Sequence, residues 1–251
     1  MADVGETRWG RWISAGVFSL ALLMLLVAIP AMRPWLHPLF PDVRDPIYSR
    51  ASFVTLAIAH LELVAVATTI AALMGIGIGV AVTREGGRAF APLARTVGTL
   101  GQTFPPVAVL ALAVPLLGYG AAPTLAALTI YAALPILEAT LSGLGAVPSA
   151  ARDAAEGLGF PAWRQLWAVE LPLAWPIMLT GLRNATIINI GTATIGSSVG
   201  ALSLGSPILE GLSASNPAYV IEGAVVVALL AMTIDRWFDV LDDVTVVSQQ
   251  R

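Results

Sequence analysis

The sequence predicts an all-α integral membrane protein of about six transmembrane helices, with a soluble-looking helical hairpin between spans four and five. Three observations carry this. Of 251 residues, 57% are hydrophobic and only 12% are charged, about half the charged share of a soluble domain. Mean hydropathy is +0.82. The apolar residues fall into runs at 13–31, 52–82, 96–117, 121–142, 171–196 and 217–234, all but the longer second run close to the ~20 residues that a spanning helix needs.

The first run is read as a span and not as a removable signal. It is too long, and Pro30, Met32 and Arg33 form no small-residue cleavage site. The second, at 31 residues, would make a helix of about 46 Å against a hydrocarbon core of ~30 Å. Its outer end, ASFVTLAIAHLE, is therefore expected to lie along the surface before turning inward. That places His60 and Glu62 near the outer interface, pointing in different directions, with a packing or gating role open for each. Spans three and four meet tightly through GYGAAP, and the small-residue runs GIGIGV (75–80) and GTATIGSSVG (191–200) suit close helix contact.

Arginine placement sets the orientation. With the N-terminus inside, the inner segments hold nine arginines: Arg8, Arg11, Arg84, Arg88, Arg95, Arg152, Arg164, Arg236 and Arg251. The outer segments hold three, Arg33, Arg44 and Arg50. Both termini and the hairpin are thus expected on the cytoplasmic side of the cell membrane. The acidic stretch DRWFDVLDD (235–243) reads as a separate short interfacial helix with Trp237 and Phe238 at the membrane surface.

Two absences narrow the function. There is no Cys, which excludes disulfides, thiolate metal sites and Cys nucleophiles. All thirteen basic residues are Arg. Without Lys the chain cannot carry a Walker A loop or form a Schiff base. The two histidines, His37 and His60, are too far apart for a zinc-protease motif. No nucleophile–base or metal constellation is found, so no catalytic residue, metal or cofactor is expected. Any driving energy comes from an ion gradient or from another subunit.

The stretch DAAEGLGFPAWRQLWAVELP (153–172) stands apart from the apolar runs. Pro148-Ser149 offers a start, with Ser149 as N-cap. A helix over Ala150–Glu156 is then stopped at Gly157 and Gly159. Pro161 opens a second helix, PAWRQLWAVE, and Pro172 is expected to turn the chain into span five.

Within it, Asp153-Ala154-Ala155 is followed by three residues, Gly159, nine residues, Val169, one residue and Leu171-Pro172. This resembles the cytoplasmic signature of ABC importer permeases, Glu-Ala-Ala, three residues, Gly, nine residues, Ile, one residue, Leu-Pro, with Asp and Val as the departures. The stretches 101–140 and 182–205, and HLELV (60–64), resemble osmoprotectant permeases that import glycine betaine, choline or carnitine. Glu138 departs from them, since relatives often carry Arg there. The resemblance covers roughly residues 50 to 235. It implies the type I importer permease fold, with 153–172 as a coupling helix docked on a separate ATPase. It also implies a second permease subunit, identical or similar, and an extracytoplasmic substrate-binding protein, with ATP bound only by the partner. Gly159 would keep the docking corner clear, and Asp153 would be held by a donor on the ATPase or by the helix dipole.

Span five is the most polar. Arg183, about 18 Å along it from Leu171, shares a face with Thr186 and Thr194, while Asn189 and Thr192 lie on the other side. These are the candidate pathway residues. Arg183 either neutralises a substrate carboxylate or pairs with Glu222 or Glu62. Aromatics are scattered (Phe53, Phe104, Tyr119, Tyr131, Trp175, Tyr219), so no cage for a quaternary ammonium is legible. High-affinity recognition is expected in the binding protein, and no fused binding domain is expected between span six and Arg251. The chain thus divides into a first span with outer loop (1–50), a permease core (51–235) and a cytoplasmic tail (236–251). Lipid is a partner and nucleic acid is not. An importer of another small solute, such as an amino acid, phosphonate or oxyanion, remains open, as does an ion-coupled secondary transporter using Glu62, Arg183 or Glu222.

Overall fold

The computed structural model describes residues 8–249, so that Arg251, one of the inner arginines, lies outside the described residues. Every regular element among them is helical. Four stretches are long and apolar enough to cross a membrane: Trp9–Leu36, Phe53–Thr83, Ala121–Gly145 and Pro217–Thr245. Helix Leu171–Thr192 has the length at 22 residues but is more polar, and Pro106–Leu117 is shorter.

Four expectations are corrected. The run 96–117 is not one helix. It is two, Ala91–Thr103 and Pro106–Leu117, because Phe104 and Pro105 are extended (ψ 134° and 140°). A residue before proline is driven out of the α region, and Phe104 and Pro105 both precede one. The run 52–82 has no surface-lying outer end. Phe53–Thr83 is one uninterrupted helix of 31 residues, with no interior Pro to turn it. The acidic stretch 235–243 is not a separate helix either, since it continues Pro217–Gln249. Trp237 there donates its indole N–H to Ser19 Oγ at 3.1 Å and stacks edge-on against Trp12. Finally, Ser149 is the first helical residue, and Pro148 occupies the cap position without a side-chain hydrogen bond.

The described chain forms two compact units. The first takes in residues up to Ala67, Pro105–Leu128 and Ile187–Val240. Its core joins Leu22, Leu26 and Ile29 to Phe53, Leu56, Leu204, Val226 and Leu230. Here His60 is fully buried and donates Nε2–H to the Ile190 carbonyl at 2.9 Å. Gly196 abuts Thr124, as the small-residue run predicts; a Cβ would stand 2.5 Å from Thr124 Cγ2. Loop 45–50 is tied down by polar contacts. Tyr48 N–H donates to Glu222 Oε2 at 3.0 Å, Asn216 Nδ2 donates to the Asp45 carbonyl at 2.9 Å, and Arg50 pairs with Glu210 at 2.7 Å.

The second unit holds Thr68–Phe104, Thr129–Thr186 and the residues from Leu241 on. Small residues let its helices approach closely. A Cβ on Gly75 would stand 3.0 Å from the Ala133 carbonyl, and one on Gly79 would stand 2.6 Å from Thr140 Cγ2. Gly181 packs on Ala139, with the Pro135 carbonyl 2.9 Å from where a Cβ would be. In lipid there is no hydrophobic drive between helices, so this close contact supplies the cohesion. Glu138, the departure noted above, pairs with Arg95 at 3.6 Å.

Candidate functional site

The hairpin lies wholly within the second unit. Its first helix is Ser149–Gly157, with only Ala155 buried. Gly159, at φ +76°, reverses the chain, a conformation that costs a side-chain-bearing residue about 1–2 kcal/mol. The stop has the Schellman pattern. Phe160 N–H donates to the Ala155 carbonyl at 3.0 Å, and Gly159 N–H donates to Glu156 at 2.8 Å. A Cβ on Gly159 would meet nothing within 4 Å. The left-handed turn therefore comes from the backbone, while the space beside it is open.

The return arm of the hairpin departs from expectation. Ala162–Gln165 does not end before span five. It passes through a π-helical turn at Leu166–Glu170 directly into Leu171–Thr192, so the helix is not interrupted at Pro172. Pro172 has no N–H and its ring would press on the carbonyl four residues back; the wider turn ahead of it relieves both. Leu158, Trp163 and Trp167 project outward, 75%, 67% and 68% exposed. Arg164 caps the Phe160 ring face at 4.2 Å.

At the base of the hairpin lies a cluster that the motif does not contain. Glu170 is buried, with its side chain 5% exposed, and its carboxylate meets two guanidiniums. Arg84, just past helix 53–83, donates Nη2–H to Oε2 at 2.5 Å. Arg152, on the first hairpin helix, brings Nε to 3.4 Å from Oε1 and donates Nη2–H to the Leu144 carbonyl. Gln165 Nε2 adds a longer contact of 3.5 Å. One carboxylate thus joins three segments that are distant in sequence.

Of the signature residues, Asp153 and Ala154 are exposed, Ala155 is buried, Val169 and Leu171 are half-buried and Pro172 is exposed. Asp153 is the fifth residue of its helix, beyond the first turn where the dipole acts. Two of the span-five candidates use their hydroxyls locally. Thr186 and Thr194 spend their hydroxyls on their own helix, donating to the Leu182 and Gly191 carbonyls, each at 2.7 Å. Asn189 is fully buried, and Arg183 and Thr192 are half-buried. Arg183 does not meet Glu222 or Glu62. Glu222 accepts from Tyr48, and Glu62 has no partner among the described residues.

Apolar helices interrupted by one exposed two-helix hairpin, whose return arm continues into a polar span, define the permease fold of a type I ABC importer. The fold is similar to that of the inward-facing MetNI methionine ABC transporter, with a TM-score of 0.68 at 20% identity, covering 76% of this chain and 95% of that one. It is also similar to an amino acid ABC transporter, with a TM-score of 0.59 at 21% identity over 76% of this chain and 91% of that one. The family model for the binding-protein-dependent transport system inner membrane component matches residues 73–245, and the chain belongs to that family. It is accordingly a multi-pass inner-membrane transport component. Among curated relatives, the osmoprotectant import permease protein OsmY of Salmonella typhimurium is 41% identical over 182 residues, 71% of this chain and 77% of that protein. The glycine betaine/carnitine/choline transport system permease protein OpuCB of Bacillus subtilis is 39% identical over 178 residues, 70% and 80% of the two chains.

Proposed function

We propose that this chain forms the transmembrane pathway of an ABC importer for a quaternary-amine osmoprotectant such as glycine betaine, choline or carnitine. The observation that carries the coupling role is the hairpin. It has the signature spacing from Asp153 to Pro172, it presents Leu158, Trp163 and Trp167 outward, and it is anchored through Glu170. The substrate class is supported by the names of the relatives just described.

In this reading two permease subunits, identical or similar, stand over two ATPases, with a binding protein on the outer side and both termini in the cytoplasm. Residues 51–235 make the permease core. ATP is bound and hydrolysed by the partner, and this chain catalyses no chemistry. Asp153, Ala154, Ala155 and Gly159 meet the ATPase, with Asp153 accepting from a donor there. Val169, Leu171 and Pro172 join the hairpin to span five. Because helix 162–192 is continuous, a push on the hairpin moves span five directly, and Arg84 passes the same push to helix 53–83. Arg183, Thr186, Asn189 and Thr192 lie on helix 162–192 and Thr194 just past its end, as the residues that line the pathway.

The test is uptake in proteoliposomes holding the chain with its ATPase and binding protein. Radiolabelled betaine, choline or carnitine should accumulate only with internal ATP and with the binding protein outside. Accumulation by the chain alone, driven by a sodium or proton gradient, would overturn the reading.

A further inference from the structure

Glu62 is a carboxylate on a membrane-spanning helix, nine residues after Phe53, and it has no hydrogen-bond or ion-pair partner among the described residues. It is exposed at the surface of this chain, and a carboxylate on a spanning helix is expensive against lipid unless something answers its charge. It lines a cavity of about 290 Å³ within the first unit, whose other walls are Ala59, Leu63, Val66, Ala121, Leu125 and Leu202. These come from helix 53–83, from the start of helix 121–145 and from the segment after Gly200. Val66 and Leu202 stay about half exposed, at 46% and 48%, so the cavity is open on one side.

We propose that Glu62 and this cavity form a binding subsite for a quaternary ammonium group. The chemistry of the walls selects the ligand. One anion faces six aliphatic side chains, none of which carries a hydrogen-bond acceptor. A primary ammonium would bring three N–H donors, and one carboxylate cannot satisfy them all in a pocket otherwise made of carbon. A trimethylammonium group brings charge without donors, and its methyl groups pack on Ala, Val and Leu at no polar cost. The pocket contains no aromatic ring, so the charge of Glu62, and not cation–π attraction, does the holding. The site rests on the importer reading only in its use, as a transient station for the cationic head of the solute. Its binding chemistry belongs to this chain alone.

The experiment is therefore done on the purified chain in nanodiscs, without ATPase or binding protein. Binding of choline, tetramethylammonium, methylammonium and 3,3-dimethylbutan-1-ol, the uncharged carbon analogue of choline, is followed by saturation-transfer NMR and equilibrium dialysis. Choline and tetramethylammonium should bind. Methylammonium and the neutral analogue should bind about tenfold more weakly or not at all, on the scale of one partly desolvated charge pair. Glu62→Gln should lose about tenfold in choline affinity. Ala121→Leu, which narrows the cavity and leaves the charge, should weaken binding as well. Both variants should keep the parent's elution volume and thermal transition. Equal binding of the neutral analogue, or full choline affinity in Glu62→Gln, would overturn the proposal. So would a Glu62→Gln variant whose only change is weaker association between copies of the chain. If no quaternary ammonium binds the chain while the assembled transporter still imports, this site falls and the importer reading stands. If the chain binds the cations but imports nothing with ATP, the site stands and the importer reading falls.

Discussion

Arg84→Met should lower the thermal transition of the purified chain and nearly abolish ATP-driven uptake. The substitution keeps most of the side-chain volume but takes the closest positive charge from Glu170, whose side chain is only 5% exposed. Removing one partner of a buried ion pair typically costs about 3–5 kcal/mol. Arg84 is itself 35% exposed and Arg152 remains beside the carboxylate, so roughly 2–3 kcal/mol is expected here. For a chain of this size that is a fall of very roughly 4–12 °C, checked by following unfolding in detergent against temperature. The double variant Arg84→Met, Glu170→Leu should recover part of the loss, since no uncompensated carboxylate is left. It should not recover uptake, because the tie between helix 53–83 and the hairpin is still gone. Recovery of stability without recovery of uptake separates a coupling role from a merely structural one. A double variant that imports normally would show that the tie is dispensable.

Gly159→Arg should leave the chain folded and remove its hold on the ATPase. Two effects act at this position. The φ of +76° penalises any Cβ, and the space where the Cβ would go is open, with no atom of this chain within 4 Å. Asn tolerates left-handed geometry far better than other side chains do, so Gly159→Asn isolates the second effect. With Asn the backbone is kept and a modest side chain enters the docking space; ATPase co-purification should weaken. With Arg it should vanish, while the elution profile of the chain without ATPase stays like the parent's. Normal ATPase capture by Gly159→Arg would mean that the corner is not a contact surface.

How far these features are legible in the sequence depends on the range of the interaction. Most of the apolar runs, the Gly159 corner and the small-residue contacts at Gly75, Gly79 and Gly196 follow from local rules and reappear in the structure. The break at Phe104–Pro105 is also local, and the Pro105-Pro106 pair announces it inside a run otherwise long enough to span. Glu170 is not legible in this way. It occupies the unspecified position between Val169 and Leu171, and its partners lie 86 and 18 residues earlier in the chain. The only local signal is a carboxylate at the edge of an apolar run. Arg84 and Arg152 speak in the sequence for orientation, and nothing there tells what they neutralise. The polar residues of span five escape for a related reason. Helical phase places side chains around an axis, but it does not tell that Thr186 and Thr194 will bond their own backbone or that Asn189 will be enclosed. Glu62 is the converse case, a charge that finds no partner among the described residues.

Docking of a separate ATPase on residues 149–172 is directly measurable, because the chain has no cysteine. A single thiol at Leu158→Cys, where the side chain is 75% exposed, would be labelled with a benzophenone maleimide in the assembled, transport-active complex. Tyr119→Cys, at an 81% exposed position in the 118–120 turn, serves as the control. Illumination should join this chain to the ATPase subunit from position 158 and not from position 119. A complex that imports solute with ATP yet yields no ATPase adduct from position 158 would contradict docking at this surface.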